Sequence, residues 1–97
     1  MRHAGYKLRI PDEVVDLVRG LHPILKKKVR TGLQSVCNDP YSGKALKDEL
    51  KGLRSYRVGR LRIIYRLGPK KRIEIVAIGP RKSIYQETYR LLRKAGE

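Results

Sequence analysis

The most constraining feature of the sequence is a run of three strand-like segments between residues 53 and 78. Apolar and basic residues alternate within the run, and the connections at Gly59 and at 68–71 are only a few residues long. Connections this short join neighbouring antiparallel strands, so the run predicts a three-stranded meander. Since side chains alternate between the two faces of a strand, the arginines should collect on one face, which would suit a polyanion.

Segment 61–67 separates the two predicted faces most clearly. One face would carry Leu61, Ile63, Tyr65 and Leu67, and the other would carry Arg62, Ile64 and Arg66. We expect the apolar set to meet the helices. In the last strand, the same alternation groups Ala77 with Ile73 and Ile75. It leaves Ile78 on the second face, which is then mixed and partly open.

Two amphipathic helices are predicted ahead of the meander. A short strand at 6–10 leads into the first helix, which Asp12 can cap. The second helix begins at Pro23, a residue favoured in the first turn, with His22 well placed as its cap. Its apolar stripe ends at 38–40, where Asn-Asp-Pro stops the helix.

The remaining segments complete the predicted fold. Residues 39–52 are expected to form a loop with about one turn of helix near 44–50, and a final amphipathic helix is expected over 82–95. The two earlier helices need an apolar partner, and the sheet is the only candidate. The sequence therefore predicts an α+β fold: an antiparallel sheet, formed by the meander and the N-terminal strand, is backed by two helices and followed by a C-terminal helix.

The charge of the chain points to a polyanionic partner. Lys and Arg total 24 against 9 Asp and Glu, a formal net charge of +15 in 97 residues, which is enough chain for one domain over 1–97. A membrane-surface role is disfavoured because the cations recur along strands and helices without a terminal polybasic block. No stretch approaches a membrane span and residues 1–10 lack the apolar core of a signal peptide, so a cytoplasmic protein is predicted.

The cysteine and histidine content disfavours disulfide and metal chemistry. Cys37 is the one cysteine, so no internal disulfide can form, and its apolar neighbours indicate a small buried residue. His3 and His22 are far apart in the sequence and give no metal-ligand spacing. We therefore expect no metal site and no cofactor, and a nuclease built on paired histidines is improbable.

Metal-free RNA cleavage remains chemically accessible to such a chain. The 2′-hydroxyl must be activated, the phosphorane charge stabilised and the leaving oxygen protonated. Arginine suits the second task, because its planar fork binds two phosphate oxygens and keeps its charge. Arg81 and Tyr85 are four residues apart, a spacing that would place both on one side of a helical turn. Nearby cations favour the phenolate form of a tyrosine, which can then assist the attacking hydroxyl.

Three short motifs carry a resemblance to a known family. They are Ser-Tyr-Arg-Val-Gly at 55–59, Arg-Ile-Ile-Tyr at 62–65 and Ile-Gly-Pro-Arg-Lys-Ser-Ile-Tyr at 78–85. In this order and strand context, and over nearly the whole chain, they resemble the RelE/ParE superfamily of toxins from type II toxin–antitoxin systems, and the RelE-like mRNA interferase branch in particular. The resemblance implies a ribosome-dependent endoribonuclease that cuts messenger RNA in the A site without a metal, inhibits translation and is held inactive by an acidic antitoxin.

The resemblance also implies roles for individual residues. Arg62 would contact the scissile phosphate, Arg81 would stabilise the transition state and Tyr85 would engage the attacking ribose hydroxyl. The RNA-binding residues implied beside this catalytic set are Arg57, Arg60, Lys51 and Lys82.

Two other functions remain open at this point. A ParE-like toxin would poison DNA gyrase and cleave nothing, and Gly59, which stands where the best-known RelE toxin has a second strand lysine, favours that branch. A basic protein that only binds RNA or the ribosome is the third possibility. Arg57 and Arg62 would then be solvated side chains on an exposed sheet face, and Tyr85 an aromatic residue packed on the sheet.

Overall fold

The structure, a computed structural model, describes residues 6–96, with side chains to residue 93. Three helices and one five-stranded sheet confirm the predicted α+β fold. In chain order the elements are β1 (Lys7–Arg9), α1 (Asp12–Arg19), α2 (Pro23–Asn38), β2 (Lys44–Ala45), a 3₁₀ turn (Asp48–Leu50), β3 (Arg54–Val58), β4 (Leu61–Gly68), β5 (Arg72–Pro80) and α3 (Ile84–Gly96).

The sheet has the order β1-β5-β4-β3-β2. β3, β4 and β5 form the predicted antiparallel meander, and the short β2 pairs antiparallel with β3. β1 pairs parallel with β5, so the sheet is mixed and the expectation that the N-terminal strand is antiparallel was wrong. The long connection through α1 and α2 permits either direction, and short turns fix direction only inside the meander.

One face of the sheet carries the larger core. Buried side chains of α1 and α2 meet the apolar face of β4, as predicted; this cluster includes Val14, Val29, Val36, Cys37, Leu61, Ile63, Tyr65, Ile73, Ile75 and Ile78. The approach is close at Gly32, where an added Cβ would lie 2.6 Å from the Val58 Cγ2 atom. Burial raises the pKa of the Cys37 thiol, which fits the predicted role as a small core residue.

A β-bulge changes the alternation of β5. Tyr65 is paired with Ile75 while Ile64 is paired with Ala77, which leaves Val76 as the extra residue. An extra residue shifts the following side chains to the opposite face. Ile78 therefore joins the helix-side core, and Ala77 packs with Ile64 on the second face. The expected placement of these two β5 residues was wrong for this reason.

The second face is mixed, as predicted, and α3 covers part of it. Its small apolar cluster contains the buried residues Leu53, Ile64, Ala77 and Ile84, with Tyr85 and Leu92 packed against them. α3 begins two residues later than expected, because residues 81–83 form a turn in which the Ser83 N–H donates to the Pro80 carbonyl oxygen at 3.2 Å. Among residues 6–96, no helix is long and apolar enough to cross a membrane.

The ends of the first two helices differ in their caps. His22 caps α2 as predicted: its Nδ1 atom accepts a hydrogen bond from the Ile24 N–H at 3.2 Å. The prediction for α1 was wrong, because Pro11 occupies the cap position and Asp12 is already the first helical residue. Pro11 has no side-chain acceptor, and the acidic residues of the first turn instead interact favourably with the helix dipole.

A buried tyrosine fastens the loop that follows α2. The Tyr65 hydroxyl donates to the Pro40 carbonyl oxygen at 2.7 Å and accepts from the Gly43 N–H at 3.0 Å. Arg54 adds bonds from Nε to the Gly43 carbonyl oxygen and from Nη2 to the Tyr41 carbonyl oxygen. Burial raises the pKa of Tyr65, an effect that the Gly43 hydrogen bond partly offsets.

Candidate functional site

Two arginines lie side by side on the second face of the sheet. Arg57 on β3 is the register partner of Arg62 on β4, so their side chains start from opposing positions on the same face. On its other side, Arg62 is paired with Gly79 of β5. The Arg57 Nε atom donates to the Gly59 carbonyl oxygen at 3.4 Å, which holds this side chain over the β3–β4 turn.

Ser55 lies between Arg62 and Tyr85. Its Oγ atom is 3.2 Å from Arg62 Nη1 and 3.2 Å from the Tyr85 hydroxyl oxygen, and only 2% of the residue is exposed. Tyr85 is in the first turn of α3, thirty residues further along the chain. One serine hydroxyl therefore joins the catalytic candidates of the sheet and of the C-terminal helix.

The guanidinium of Arg62 is only partly satisfied. Its Nε atom is buried and has no hydrogen-bond partner among the described side chains and backbone. Within residues 6–93, none of Arg57, Arg60, Arg62 and Arg81 forms an ion pair. A buried N–H without an acceptor costs about 1–3 kcal/mol, and more when the group is charged. An oxyanion would remove that cost once the side chain turned this N–H towards it.

The carboxylate of Glu74 is bound further along the same face. Its Oε1 atom lies 2.7 Å from Arg66 Nε, and this hydrogen bond is the main reason that the pKa of Glu74 is lowered. Glu74 is therefore held ionised beside Arg66 and does not neutralise the Arg57–Arg62 pair. Across residues 6–96, no three His, Cys, Asp or Glu residues are grouped so that they could hold a metal ion.

Arg60 and Arg81 meet through their backbones. The Arg81 N–H donates to the Arg60 carbonyl oxygen at 3.2 Å, which joins the β3–β4 turn to the turn before α3. Both side chains are exposed. The expectation that Arg81 and Tyr85 share one helical turn was wrong, because α3 starts at Ile84 and Arg81 lies in the preceding turn.

The two predicted lysines stand apart from this cluster. Lys82 is exposed in the turn with Arg81, whereas Lys51 is exposed at the end of the 3₁₀ turn that precedes β3. The structure thus brings together Arg57, Arg62 and Tyr85 and joins Arg60 to Arg81 through the backbone. Lys51 lies directly after the 3₁₀ turn. The roles assigned to these residues remain predictions.

A basic groove extends the positive surface towards α2. It has a volume of about 480 Å³ and lies between α2 and the outer side of β3. Lys27, Lys28 and Arg57 line it together with the apolar side chains of Ile24 and Val58. Arg57 therefore belongs both to this groove and to the arginine pair on the sheet face.

Ser55 and Gly79 are site residues that the sequence analysis missed. Ser55 shares strand parity with Arg57, which was available as a signal, but its contact with Tyr85 depends on where α3 docks. Gly79 matters because an added Cβ would lie 2.9 Å from Ile84 Cδ1. The bare backbone at Gly79 thus admits the first residue of α3 and sets the position of Tyr85 beside it.

Comparisons with known proteins agree with this architecture. A family model described as the ParE toxin of the type II toxin–antitoxin system parDE matches residues 9–85. The toxin–antitoxin complex RelBE2 from Mycobacterium tuberculosis contains a chain with 28% identity and a TM-score of 0.67, over 78% of this chain and 98% of that one. A comparison with curated protein sequences gave no significant match.

Two further solved structures share the fold. An arginine-to-alanine double mutant of the Escherichia coli toxin RelE in the free state has a TM-score of 0.73 at 16% identity, over 93% of this chain and 96% of that one. The archaeal RelE–RelB complex from Pyrococcus horikoshii has 25% identity and a TM-score of 0.64, over 78% and 94%. The expected membership of the RelE/ParE superfamily is confirmed. The chain belongs to the ParE toxin family of type II toxin–antitoxin systems and has the fold of RelE toxins.

Proposed function

We propose that this toxin is a ribosome-dependent endoribonuclease that cleaves messenger RNA in the A site. The observation that carries the proposal concerns Arg62. Its buried Nε–H has no acceptor in the described part of the chain, and its cross-strand neighbour is a second arginine. A phosphodiester oxygen would accept from this N–H, and its single negative charge would offset one of the two cations. The second negative charge of the phosphorane would offset the other. The Ser55 contact places a phenol next to the same guanidinium.

The chemistry is transesterification by the neighbouring ribose. The 2′-oxygen attacks phosphorus, the bond to the 5′-oxygen breaks, and the products are a 2′,3′-cyclic phosphate and a 5′-hydroxyl. Arg62 and Arg81 stabilise the negative charge of the phosphorane, while Tyr85 accepts a hydrogen bond from the attacking hydroxyl. The hydroxyl proton leaves to solvent water, and the 5′-oxygen takes up a proton from solvent. No cofactor enters this scheme.

The wider positive surface supports binding of the RNA backbone. We infer that Arg57 and Arg60 bind the RNA backbone near the reacting phosphate, and that Lys82 and Lys51 add contacts further from it. Such contacts add affinity without base readout. This open sheet face does not by itself align an RNA strand for attack, so the ribosome would have to position the message. The resemblance to RelE-type toxins implies the same dependence on the ribosome.

The proposed partners are the ribosome with its message and an acidic antitoxin. The net charge of +15 favours an acidic, partly disordered antitoxin segment that folds on binding. The M. tuberculosis relative is part of a toxin–antitoxin complex, and the P. horikoshii relative was solved as a RelE–RelB complex, which supports this pairing. We place the protein in the cytoplasm as a single domain over residues 1–97, since its proposed substrate is translated message.

A second candidate is poisoning of DNA gyrase without RNA cleavage. The observation that favours it is the family model itself, which describes the ParE toxin. Under this alternative, the arginine pair would bind a protein or DNA surface and Tyr85 would have no chemical role.

One induction experiment separates the two candidates. The parent protein and its Arg62→Ala variant are induced briefly, and new 5′ ends are mapped by primer extension on a translated message and on a copy without a start codon. We expect cuts inside codons of the translated copy only, and far fewer with the variant. Intact messages together with gyrase-linked DNA breaks would overturn the nuclease and support the poison. Equal cutting of both copies would contradict ribosome dependence.

A further inference from the structure

Ser55 has two hydrogen-bonding neighbours and almost no exposure. Its Oγ atom lies 3.2 Å from Arg62 Nη1 and 3.2 Å from the Tyr85 hydroxyl oxygen, and 2% of the residue is accessible. Across the β3–β4 pair, Ser55 is opposite the fully buried Ile64. An alanine could fill this position as well as a serine, so the hydroxyl requires an explanation beyond packing.

The direction of each hydrogen bond follows from donor and acceptor chemistry. A guanidinium only donates, so Ser55 Oγ accepts from Arg62. A serine hydroxyl can accept twice and donate once, and a phenol can also do either. Tyr85 therefore either donates to Ser55 or, after the proton has turned, accepts from it. The Arg62 bond is compatible with both directions.

The direction in which Tyr85 donates is the one that the proposed chemistry uses. A phenol that donates to Ser55 has its own proton bound and offers a lone pair to the ribose hydroxyl. The ribose proton leaves to solvent, so no charge develops on the phenol and the bond to Ser55 keeps its direction during attack. The hydrogen bond from the cationic Arg62 is roughly twice as strong as a neutral one, so it holds the Ser55 oxygen in place.

We propose that Ser55 is a positioning residue that couples Arg62 to Tyr85: its oxygen accepts from both, which directs the free lone pair of the phenol towards the ribose hydroxyl that attacks phosphorus. This inference rests on the proposed nuclease function. Ser55 itself touches neither the phosphate nor the ribose. It fixes the position of the Tyr85 oxygen relative to the Arg62 guanidinium.

The test is a double-mutant cycle on single-turnover cleavage by programmed ribosomes at saturating protein. Ser55→Ala should slow the parent by about 10-fold or more, because one partner of each neighbour is lost. In a Tyr85→Phe background the same change should slow cleavage by less than about 3-fold, since residues in one network are not additive. Equal factors in both backgrounds would overturn the coupling.

Two further variants separate positioning from packing. Ser55→Thr keeps the hydroxyl but adds a methyl group at a buried site, so it should be less stable than Ser55→Ala and yet cleave within about 3-fold of the parent. A packing role predicts the opposite order of cleavage rates, and that order would overturn the proposal. Ser35→Ala in α2, on the opposite face of the sheet, is the matched serine control and should cleave like the parent.

A stability cycle tests the contact independently of cleavage. The unfolding equilibrium constants of the parent, Ser55→Ala, Tyr85→Phe and the double variant are measured in urea. We expect the double variant to differ from the product of the single effects by a factor of about three or more. If there is no such coupling, the inference fails whatever the enzyme does. If coupling is present and the parent does not cleave, the proposed nuclease function is wrong, and Ser55 has only a structural role between Arg62 and Tyr85.

Discussion

Arg62 and Gly79 are directly paired across β4 and β5, and the bare backbone at Gly79 is where α3 packs on the sheet. The position of a side chain at residue 79 is occupied by the fully buried Ile84, whose Cδ1 atom would lie 2.9 Å from an added Cβ. The first residue of α3 therefore rests on the backbone next to the arginine. Tyr85 follows immediately in sequence and reaches Ser55 on β3.

Gly79→Ala tests the packing of α3 against the backbone at residue 79. The added methyl group must displace Ile84, so we expect a loss of about 1–3 kcal/mol in the free energy of unfolding. Cleavage should also slow, because Tyr85 moves with the helix. Urea denaturation and single-turnover kinetics measure the two effects. Gly20→Ala is the control: its Cβ would meet no atom closer than 3.6 Å. Equal stability of both variants would contradict the close fit at Gly79.

The local part of the fold was predictable from the sequence. Short turns and strict alternation identify the meander and assign Ile63 and Tyr65 to the helix side, since each pattern depends only on residues near in sequence. The bulge at Val76 and the direction of β1 depend on packing between distant segments. Strand alternation therefore misplaced Ala77 and Ile78, and the pairing of β1 with β5 could not be inferred.

The site was predictable in part for the same reason. Arg57 and Arg62 share a face because of strand parity and a tight turn, which are readable from the sequence. The link from Ser55 to Tyr85 spans thirty residues and depends on the docking of α3 on Gly79. The spacing of Arg81 and Tyr85 suggested one helical turn, but the chain forms a separate turn at 81–83 before the helix starts.

Tyr65→Phe tests the fastening of the loop after α2. The change removes the donor to the Pro40 carbonyl oxygen and the acceptor for the buried Gly43 N–H, so the free energy of unfolding should fall by about 1–3 kcal/mol. Tyr41→Phe, at a residue that is 63% exposed, should change it by less than about 0.5 kcal/mol. Indistinguishable urea midpoints for these two variants would show that the loop bonds contribute nothing.

Tyr65 should also make the protein sensitive to alkali. Burial raises its pKa in the folded state above the value of about 10 that holds in the unfolded chain. Above pH 10 the unfolded chain therefore loses this proton while the folded chain retains it, and the free energy of unfolding falls as pH rises towards the folded pKa. Below pH 10 this contribution is fully present. Urea titrations from pH 8 to 11 should show a steeper decline for the parent than for Tyr65→Phe; parallel curves would contradict the assignment.

Arg81→Ala tests the second proposed catalytic cation. Its exposed side chain should act on the developing phosphorane, so single-turnover cleavage on ribosomes should slow by about 10²-fold while ribosome binding changes little. Arg19→Ala removes an exposed arginine from the end of α1 and is the charge-matched control. If Arg81→Ala cleaves as fast as the Arg19→Ala control, Arg81 has no catalytic role and is a solvated side chain.

The nuclease proposal requires that the partly buried guanidinium of Arg62 binds the scissile phosphate. Its most direct test is single-turnover cleavage of a defined message on ribosomes with a known codon in the A site, using the parent and Arg62→Lys at saturating protein. Lysine keeps the charge and loses the planar fork, so we predict a cut within the A-site codon for the parent and a rate about 10²-fold lower for the variant. If the parent makes no cut, or if both proteins cut at equal rates, Arg62 does not have this role.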